Sequence, residues 1–222
     1  AAELARQQGI PAEIVVVADD VALSALVRRD RRRGIAGTVL VHKLAGAAAE
    51  RGLPLDQVAD IARRAAASLG TMGVGLGACI VPSAGVPGFE LGEDEIEFGL
   101  GIHGEKGVER TRIRSADAIV AALLDAIVKD MGLEAGARVA LMVNGLGGTA
   151  PMELAIVARA ALADLRARGV LVERAWSGNF MTAMEMPGCS LTLLPLDEEL
   201  DSLLDAPTDV VAWPGGGRVV AG

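Results

Sequence analysis

Residues 138–175 read RVALMVNGLGGTAPMELAIVARAALADLRARGVLVERA, and this stretch decides the fold class. It opens with a continuous apolar run, 138–143, that has the length and character of a buried strand. A glycine-rich turn at 144–151 then leads into a helix over about 152–167. A second apolar run, 170–175, predicts another strand. A strand–helix–strand unit of this kind is typical of α/β proteins.

The same alternation continues on both sides of this unit. Downstream, 190–194 predicts a late strand and 197–204 an acidic helix. Upstream, an amphipathic helix is predicted over 115–129 with Ser115 as its N-cap, and strands are predicted in the glycine-rich 70–82 and the alternating 95–103. Before these, the pattern predicts a helical segment at 1–8, a buried strand at 13–18, a helical region in 34–52 and a helix starting at Pro54.

Composition excludes several classes of function. The chain has 222 residues, of which 51% are hydrophobic, so it is too apolar for a disordered linker. It has no Tyr, three Phe and two Trp, and its formal charge is -8, which argues against nucleic-acid binding. The basic run 28–33 is therefore interpreted as a solvated loop. The glycine-rich tail, 213–218, predicts a loose end or a linker.

Nothing in the sequence predicts contact with a membrane. No apolar run approaches the roughly 20 residues of a membrane helix, and the N-terminus lacks the pattern of a signal peptide. Cys79 and Cys189 are far apart and predict small buried hydrophobes rather than a disulfide or a metal pair. We therefore expect a cytoplasmic protein.

Two glycine patterns are candidate nucleotide sites. Residues 145–150 form GxGxxA between a strand and a helix, as in dinucleotide-binding folds, and Glu173 could bind a ribose. Pro151 offers the alternative of a plain helix start. The second GxGxxA, 73–78, is not followed by a helix, so a structural role is favoured there.

His103 is the third candidate, and it lies between glycines at the end of a predicted strand. Gly101 and Gly104 leave its imidazole without bulky neighbours along the chain, so a small ligand could reach it. Glu97 and Glu105 could orient one ring nitrogen and leave the other as a nucleophile or base, although they would also raise the pKa of the ring. The other histidine, His42, lies on a helix-like stretch and is predicted to be a surface residue.

Residues 97–107, EFGLGIHGEKG, resemble the EFGxGIHGExG signature of the K subunits of dihydroxyacetone (glycerone) kinases. The resemblance extends to 33–40, 43–52, 76–79, 81–82, 143–147, 153–154 and 205–207. It implies an α/β fold of the Dak1 and DegV type in two units. Residues 1–68 would be the remnant of a first, parallel-sheet unit that 206–222 rejoin, and 69–205 would be a second unit with a mixed sheet that carries His103.

The resemblance also implies a function. His103 would be both the catalytic and the substrate-binding residue, holding dihydroxyacetone covalently as a hemiaminal while a terminal hydroxyl is phosphorylated. The phosphoryl donor would be Mg-ATP, or Mg-ADP in a phosphotransferase relay, on a separate L subunit or domain. This chain would then bind no cofactor or metal of its own, and it would form a homodimer.

K subunits also carry a second histidine and an aspartate in segments that precede the matched region, and these segments have no counterpart in residues 1–222. Asp19 and Asp20 lie past that region and are not their replacements. We therefore expect the chain alone to phosphorylate dihydroxyacetone poorly or not at all. Two alternatives stay open: a non-catalytic, ketone-sensing co-activator and a lipid-binding protein of the DegV type.

Overall fold

The computed structural model describes residues 1–80, 82–83, 85–102, 105–215 and 217–219. Its centre is a six-stranded sheet in the order β3-β2-β1-β6-β4-β5. The strands are β1 Gly70–Gly75, β2 Glu95–Phe98, β3 Glu109–Arg112, β4 Arg138–Gly145, β5 Leu171–Gly178 and β6 Gly188–Pro195. Only β4 and β5 pair in parallel among these strands, and the other neighbours are antiparallel. The predicted α/β class with a mixed sheet is confirmed.

Helices cover both faces of this sheet. The α-helices are α1 Ala2–Gln7, α2 Thr38–Glu50, α3 Leu55–Ser68, α4 Ala116–Met131, α5 Pro151–Ala167 and α6 Glu198–Leu204. On β4, Leu141 and Val143 are buried in one cluster with α4 and α5. Ala140 and Met142 point the opposite way, into a second cluster with α2, α3 and α6. Burial on both faces explains why this strand is a continuous apolar run rather than an alternating one.

Several local predictions are confirmed at the level of single residues. Ser115 is the N-cap of α4, where its hydroxyl accepts a hydrogen bond from Ala118 N at 3.4 Å. The acidic helix is α6, which follows the predicted strand in β6. Cys79 and Cys189 are both buried and unpaired, and burial raises the pKa of the Cys189 thiol to about 12. Neither thiol therefore forms a disulfide here.

The buried strand predicted at 13–18 is wrong. The segment forms no strand. Just after it, Asp20 forms an isolated parallel β-bridge with Thr71. Ile14 and Val16 are exposed, while Val15 and Val17 pack partly against the α2–α3 side of the core. A local apolar run cannot show whether another strand lies beside it, and among the described residues it has none.

The basic run at 28–33 is not a fully solvated loop, so that prediction is also wrong. Arg32 forms a two-pronged ion pair with Asp130 of α4, at 2.6 and 2.9 Å, and its side chain is 9% exposed. Arg29 donates to the carbonyl oxygen of Leu69 at 2.6 Å. The charged ends of long arginine side chains can bind partners inside the protein even when the run as a whole is hydrophilic. The sequence pattern does not reveal such partners.

The tail is not a loose end, contrary to prediction. The ring centroids of Trp213 and of Trp176 in β5 lie 4.9 Å apart. The indole N–H of Trp176 also donates a hydrogen bond to the carbonyl oxygen of Gly215 at 2.7 Å. Ala175 N in turn donates to Gly217 O at 2.8 Å. The tail is thus fastened along the outer edge of β5.

The predicted unit boundary near residue 68 falls between α3 and β1. Leu40 and Leu44 of α2 share a buried cluster with Met142 and Leu194 of the sheet, so residues on the two sides of the boundary pack together. The assignment of 1–68 with 206–222 to one unit and 69–205 to another stays a prediction.

Candidate functional site

The loop that follows β2, residues 99–107, is fixed at both ends by backbone hydrogen bonds. Gly99 has φ +73°, a conformation that favours glycine, and its N–H donates to Gly73 O at 2.7 Å. Val108 N donates to Phe98 O at 2.8 Å, which closes the loop at its base. Further out, Gly101 N donates to the carbonyl oxygen of Glu105 at 3.2 Å. His103 and Gly104 lie outside the described residues.

Glu97 supports the returning end of this loop. Its side chain is 1% exposed, and its two oxygens accept hydrogen bonds from Gly107 N at 2.6 Å and from Arg110 Nε at 2.8 Å. Sequence reasoning placed Glu97 near the histidine but missed its bond to Gly107. Whether Glu97 orients the ring of His103 stays a prediction.

A second carboxylate supports the other end through an arginine. Arg33 donates from Nε to Asp20 Oδ2 at 2.7 Å and from Nη2 to the carbonyl oxygen of Gly99, also at 2.7 Å. Burial raises the pKa of Asp20 above its ordinary value, and the charge of Arg33 opposes that rise. The sequence analysis missed this pair because Arg33 lay within a run interpreted as solvated.

Asp19, next to Asp20, has a structural task. Its fully buried carboxylate accepts hydrogen bonds from Ile35 N at 2.7 Å and Gly37 N at 2.8 Å, just before α2. Burial raises the pKa of this carboxyl group as well. These bonds hold the turn that leads into α2.

The 99–107 loop is crowded at Gly101 and borders an open cleft at 106–108. A Cβ atom on Gly101 would collide with the Glu105 carboxylate and come within 2.9 Å of Arg33 Nη1, so a larger residue there would displace these charged side-chain ends. On the other side, a cleft of about 390 Å³ adjoins the loop and is lined by Glu97, 106–108, Glu109 and Arg110. A ligand of a few heavy atoms would fit a cleft of this size.

The glycine loop at 144–150 is built differently. Asn144 is fully buried and accepts hydrogen bonds from the backbone N–H groups of Phe180 and Met181 at 2.9 and 2.8 Å. Cβ atoms on Gly147 and Gly148 would collide with the backbone at 184–187. The close approach that these glycines permit is therefore used by the protein itself, which supports the structural interpretation of this loop over a nucleotide site.

Glu173 was the candidate partner for a ribose at that loop. Its two oxygens accept hydrogen bonds from Arg138 Nε and Nη2 at 2.5 and 2.6 Å, across the parallel pair β4–β5. Arg138 lowers the pKa of this carboxyl group below its ordinary value. Glu173 therefore has a structural ion-pair partner of its own.

His42 is exposed on α2, as predicted. It borders a cleft of about 610 Å³ between α2 and the tail, in which Lys43 donates to the carbonyl oxygens of Ala206 at 2.6 Å and Leu203 at 3.3 Å. Burial lowers the pKa of Lys43. This cleft has no described contact with the 99–107 loop.

Within the part of the chain that the structure describes, no group of three or more His, Cys, Asp or Glu side chains is placed to hold a metal ion. No helix in the same residues has the length and apolar character needed to cross a membrane.

Comparison with known sequences gives a consistent result. A family model described as the Dak1 domain matches residues 1–212. The chain is 48% identical to triokinase/FMN cyclase of Bos taurus over 99% of its own length and 38% of that protein. It is 44% identical to the dihydroxyacetone-binding subunit DhaK of a PTS-dependent dihydroxyacetone kinase of Listeria innocua, over 96% of its length and 65% of the relative. The chain thus spans only part of each.

Solved structures give the same picture. A dihydroxyacetone kinase operon co-activator, DhaQ, matches with a TM-score of 0.90 and 33% identity over 96% of this chain and 66% of its own. The dihydroxyacetone kinase of C. freundii, in complex with AMP-PNP and Mg²⁺, matches with a TM-score of 0.86 and 33% identity over 97% of this chain and 39% of its own. A DegV lipid-binding protein from Thermotoga maritima, at 14% identity and a TM-score of 0.53, shares the fold alone.

Proposed function

The chain belongs to the Dak1 domain family, and on this basis we propose that it is the dihydroxyacetone-binding component of a dihydroxyacetone kinase. The observation that carries the proposal is the 44% identity, over 96% of this chain, to a subunit named for binding dihydroxyacetone. A lipid-binding function has only a fold likeness in its favour, and it is not proposed.

The proposed substrate-binding step takes place at His103. The lone pair of a neutral ring nitrogen adds to the carbonyl carbon of dihydroxyacetone, forming a C–N bond while the C=O π bond breaks. The other ring nitrogen loses its proton and the former carbonyl oxygen gains one, so the hemiaminal contains the whole ketone and no water leaves. Glycerol has no carbonyl carbon to attack, and this reaction therefore selects the ketone.

The described flanks of position 103 support this role. Bonds at Gly99, Gly101 and Gly107 fix the loop, and such fixing lowers the entropy cost of placing a nucleophile. A cleft of about 390 Å³ borders the returning part of the loop, at 106–108, and its volume would hold a short ketose. A covalently held ketone presents its terminal hydroxyl in one orientation, which is the main contribution a substrate-binding component can make to phosphoryl transfer.

The phosphoryl donor in the proposal is a magnesium-bound nucleotide on a partner L subunit or domain. The similar C. freundii kinase is a longer chain, of which this chain covers 39%, and its structure holds AMP-PNP and Mg²⁺. When bound, the metal and nucleotide would supply the phosphoryl group and neutralise its charge. The residues of this chain would hold and orient the acceptor.

We propose the same division into units that the sequence predicts. Residues 13–17, with Ile14 and Val16 about two-thirds exposed, border an apolar groove of about 440 Å³ against α2 and α3. Exposed apolar side chains beside such a groove suit contact with further chain, or with a second copy in the homodimer that the resemblance implies. Light scattering on the purified chain tests the dimer, and a monomer at micromolar concentration would contradict it.

Intact-mass spectrometry tests the binding proposal. After mixing with dihydroxyacetone and a quench without borohydride, the chain should gain the mass of one ketone, whereas glycerol should add nothing. The variant His103→Asn should show no adduct. His42→Asn is the matched control, because it removes the other histidine from an exposed helix face, and it should bind like wild type. An adduct that persists in His103→Asn would refute the assignment.

A coupled assay tests the kinase part. The 222-residue chain, with an L component and its nucleotide, should turn over dihydroxyacetone poorly or not at all, because the second histidine and the aspartate of the family have no counterpart in it. Normal turnover would contradict that expectation. Adduct formation without turnover, even in a longer form that includes those residues, would favour a non-catalytic, ketone-sensing role, and the similar DhaQ protein is named an operon co-activator.

A further inference from the structure

Arg33 connects two distant parts of the chain. Asp20, its carboxylate partner, has a side chain that is 1% exposed, and it also accepts a hydrogen bond from Ala22 N at 3.0 Å. Asp20 forms an isolated bridge with Thr71 at the start of β1. The backbone of Asp20 is therefore tied to the sheet, and its carboxylate fixes the guanidinium group of Arg33 relative to the sheet.

The same guanidinium group reaches the 99–107 loop. Nη2 donates to Gly99 O at 2.7 Å, and Nη1 lies beside Gly101, where a Cβ would come within 2.9 Å of it. Gly99 and Gly101 belong to the described segment, 99–102, that leads to position 103. Arg33 thus touches the approach to the proposed nucleophile at two points, although it is 66 residues away from Gly99 in sequence.

Gly99 has a left-handed backbone conformation, and its carbonyl oxygen accepts a charge-assisted bond from a guanidinium group that is itself held in place. Such a bond resists rotation of the peptide unit more than a bond to water would. A nucleophile must be held close to its productive geometry, because small displacements lower reactivity strongly.

We propose that Arg33, held by Asp20, is a positioning residue that sets the 99–107 loop for addition of the ketone at His103. This inference rests on the proposed function. Arg33 does not contact the ketone in this proposal. Its effect passes through the backbone at Gly99 and Gly101.

The neighbouring Arg32 provides a matched control. It also pairs with one carboxylate, the partly buried Asp130, through two hydrogen bonds, but it has no described contact with the 99–107 loop. Replacing either arginine by methionine removes a partly buried ion pair. Only the Arg33 variant should change ketone binding.

The experiment titrates dihydroxyacetone against the full chain and measures the adduct fraction by intact mass, with the thermal midpoint as a second readout. We expect Arg33→Met to raise the apparent Kd for the ketone at least tenfold. Arg32→Met should lower the midpoint by a comparable amount and leave the Kd within twofold of wild type. Arg33→Lys keeps one charged donor and should recover part of the affinity. If Arg33→Met does not fold, the Kd of Arg33→Lys still tests the proposal, and it should lie above that of wild type.

The outcomes are distinguishable. If wild type forms no adduct, the proposed function fails and this inference fails with it. If wild type forms the adduct and the Arg33 variants bind the ketone as tightly as Arg32→Met does, the positioning role alone is overturned. Amide hydrogen exchange at 99–102 and 105–108 gives an independent check, since it should accelerate in Arg33→Met and not in Arg32→Met.

Discussion

The two glycine-rich loops, 99–107 and 144–150, look alike in sequence and are held by different chemistry. In the 144–150 loop, the neutral side chains of Asn144 and Thr149 bond to the backbone of 180–181 and of Gly188. One carboxylate, that of Glu153, accepts from Ala150 N where α5 begins. In the 99–107 loop, the side chains that supplement the backbone hydrogen bonds are all charged and belong to Glu97 and to Arg33 with its partner Asp20. Glycine thus signals close backbone approach in both loops, but the side chains around each loop decide what approaches.

The two loops also share a small apolar cluster. Leu100 of one and Leu146 of the other are both buried in it with Cys79, Ala183 and Met186. Because both loops pack against the same apolar cluster, we attribute the differences between them to the polar side chains that bond to each loop. Substitutions in those supports therefore separate a structural loop from a functional one.

The largest effect on stability is expected from Asn144→Ala. The change leaves two partly buried N–H groups without their acceptor and removes the donor to Met181 O, so the free energy of unfolding should fall by about 3 kcal/mol. Denaturant unfolding measures the loss, and the ketone adduct should still form in the folded fraction. The nearby exposed Asn179→Ala should stay within about 0.5 kcal/mol of wild type. Equal losses in the two variants would show that Asn144 does not support its loop as described.

A smaller effect on stability, but a visible one on binding, is expected from Glu97→Gln. The amide can still accept from Gly107 N, but it loses the charged partner of Arg110, so unfolding should become easier by about 1–2 kcal/mol. The adduct fraction at a fixed ketone concentration should fall. Glu95→Gln, on the exposed start of the same strand, serves as the control and should leave that fraction unchanged. A fall of the same size in both variants would contradict a specific role for the buried carboxylate.

The smallest effect is expected for a carboxylate far from both loops. Asp205, with a side chain that is 41% exposed, accepts from Arg174 Nη1 at 2.6 Å and also pairs with Arg218. These guanidinium groups lower the pKa of Asp205 below its ordinary value of 3.8. Solvent screens such a pair, and Arg174 keeps Asp201 as a partner, so Asp205→Asn should cost about 1 kcal/mol or less.

The pH dependence of that cost follows from the lowered pKa. A carboxyl group with a lowered pKa in the folded state stabilises the fold above its unfolded value, and this contribution is lost as the pH falls through the folded value. The stability difference between wild type and Asp205→Asn should therefore be constant near neutrality and shrink below about pH 4. A difference that grows in acid would contradict this assignment, and with it the distinction drawn here between exposed and buried carboxylates.

Local signals in the sequence predicted much of the fold. Three features that depend only on residues close in sequence were predicted correctly. They are the strand β4, the Ser115 cap of α4 and the helix α5 that follows the glycine-rich turn. The segment at 13–18, Arg32 and the tail were predicted wrongly because their surroundings come from remote parts of the chain. Burial of Arg32 depends on Asp130, which lies 98 residues away.

The candidate site divides in the same way. Its centre, His103, follows from a sequence motif, and Glu97 lies close enough along the chain to be noticed with it. Asp20 and Arg33 could not be found by spacing, since they meet Gly99 only through the folded sheet. Periodicity and motifs describe neighbours along the chain, whereas the supports of this loop are neighbours in space.

The central claim is that the 99–107 loop binds a ketone covalently through His103. Nuclear magnetic resonance tests it most directly, on His42→Asn protein labelled with ¹⁵N in its remaining histidine ring and mixed with dihydroxyacetone carrying ¹³C at C2. The account predicts a tetrahedral carbon signal for C2 that shows one-bond coupling to a ring nitrogen of His103. A C2 signal that stays in the ketone or hydrate range, with no coupling to the ring, would contradict it.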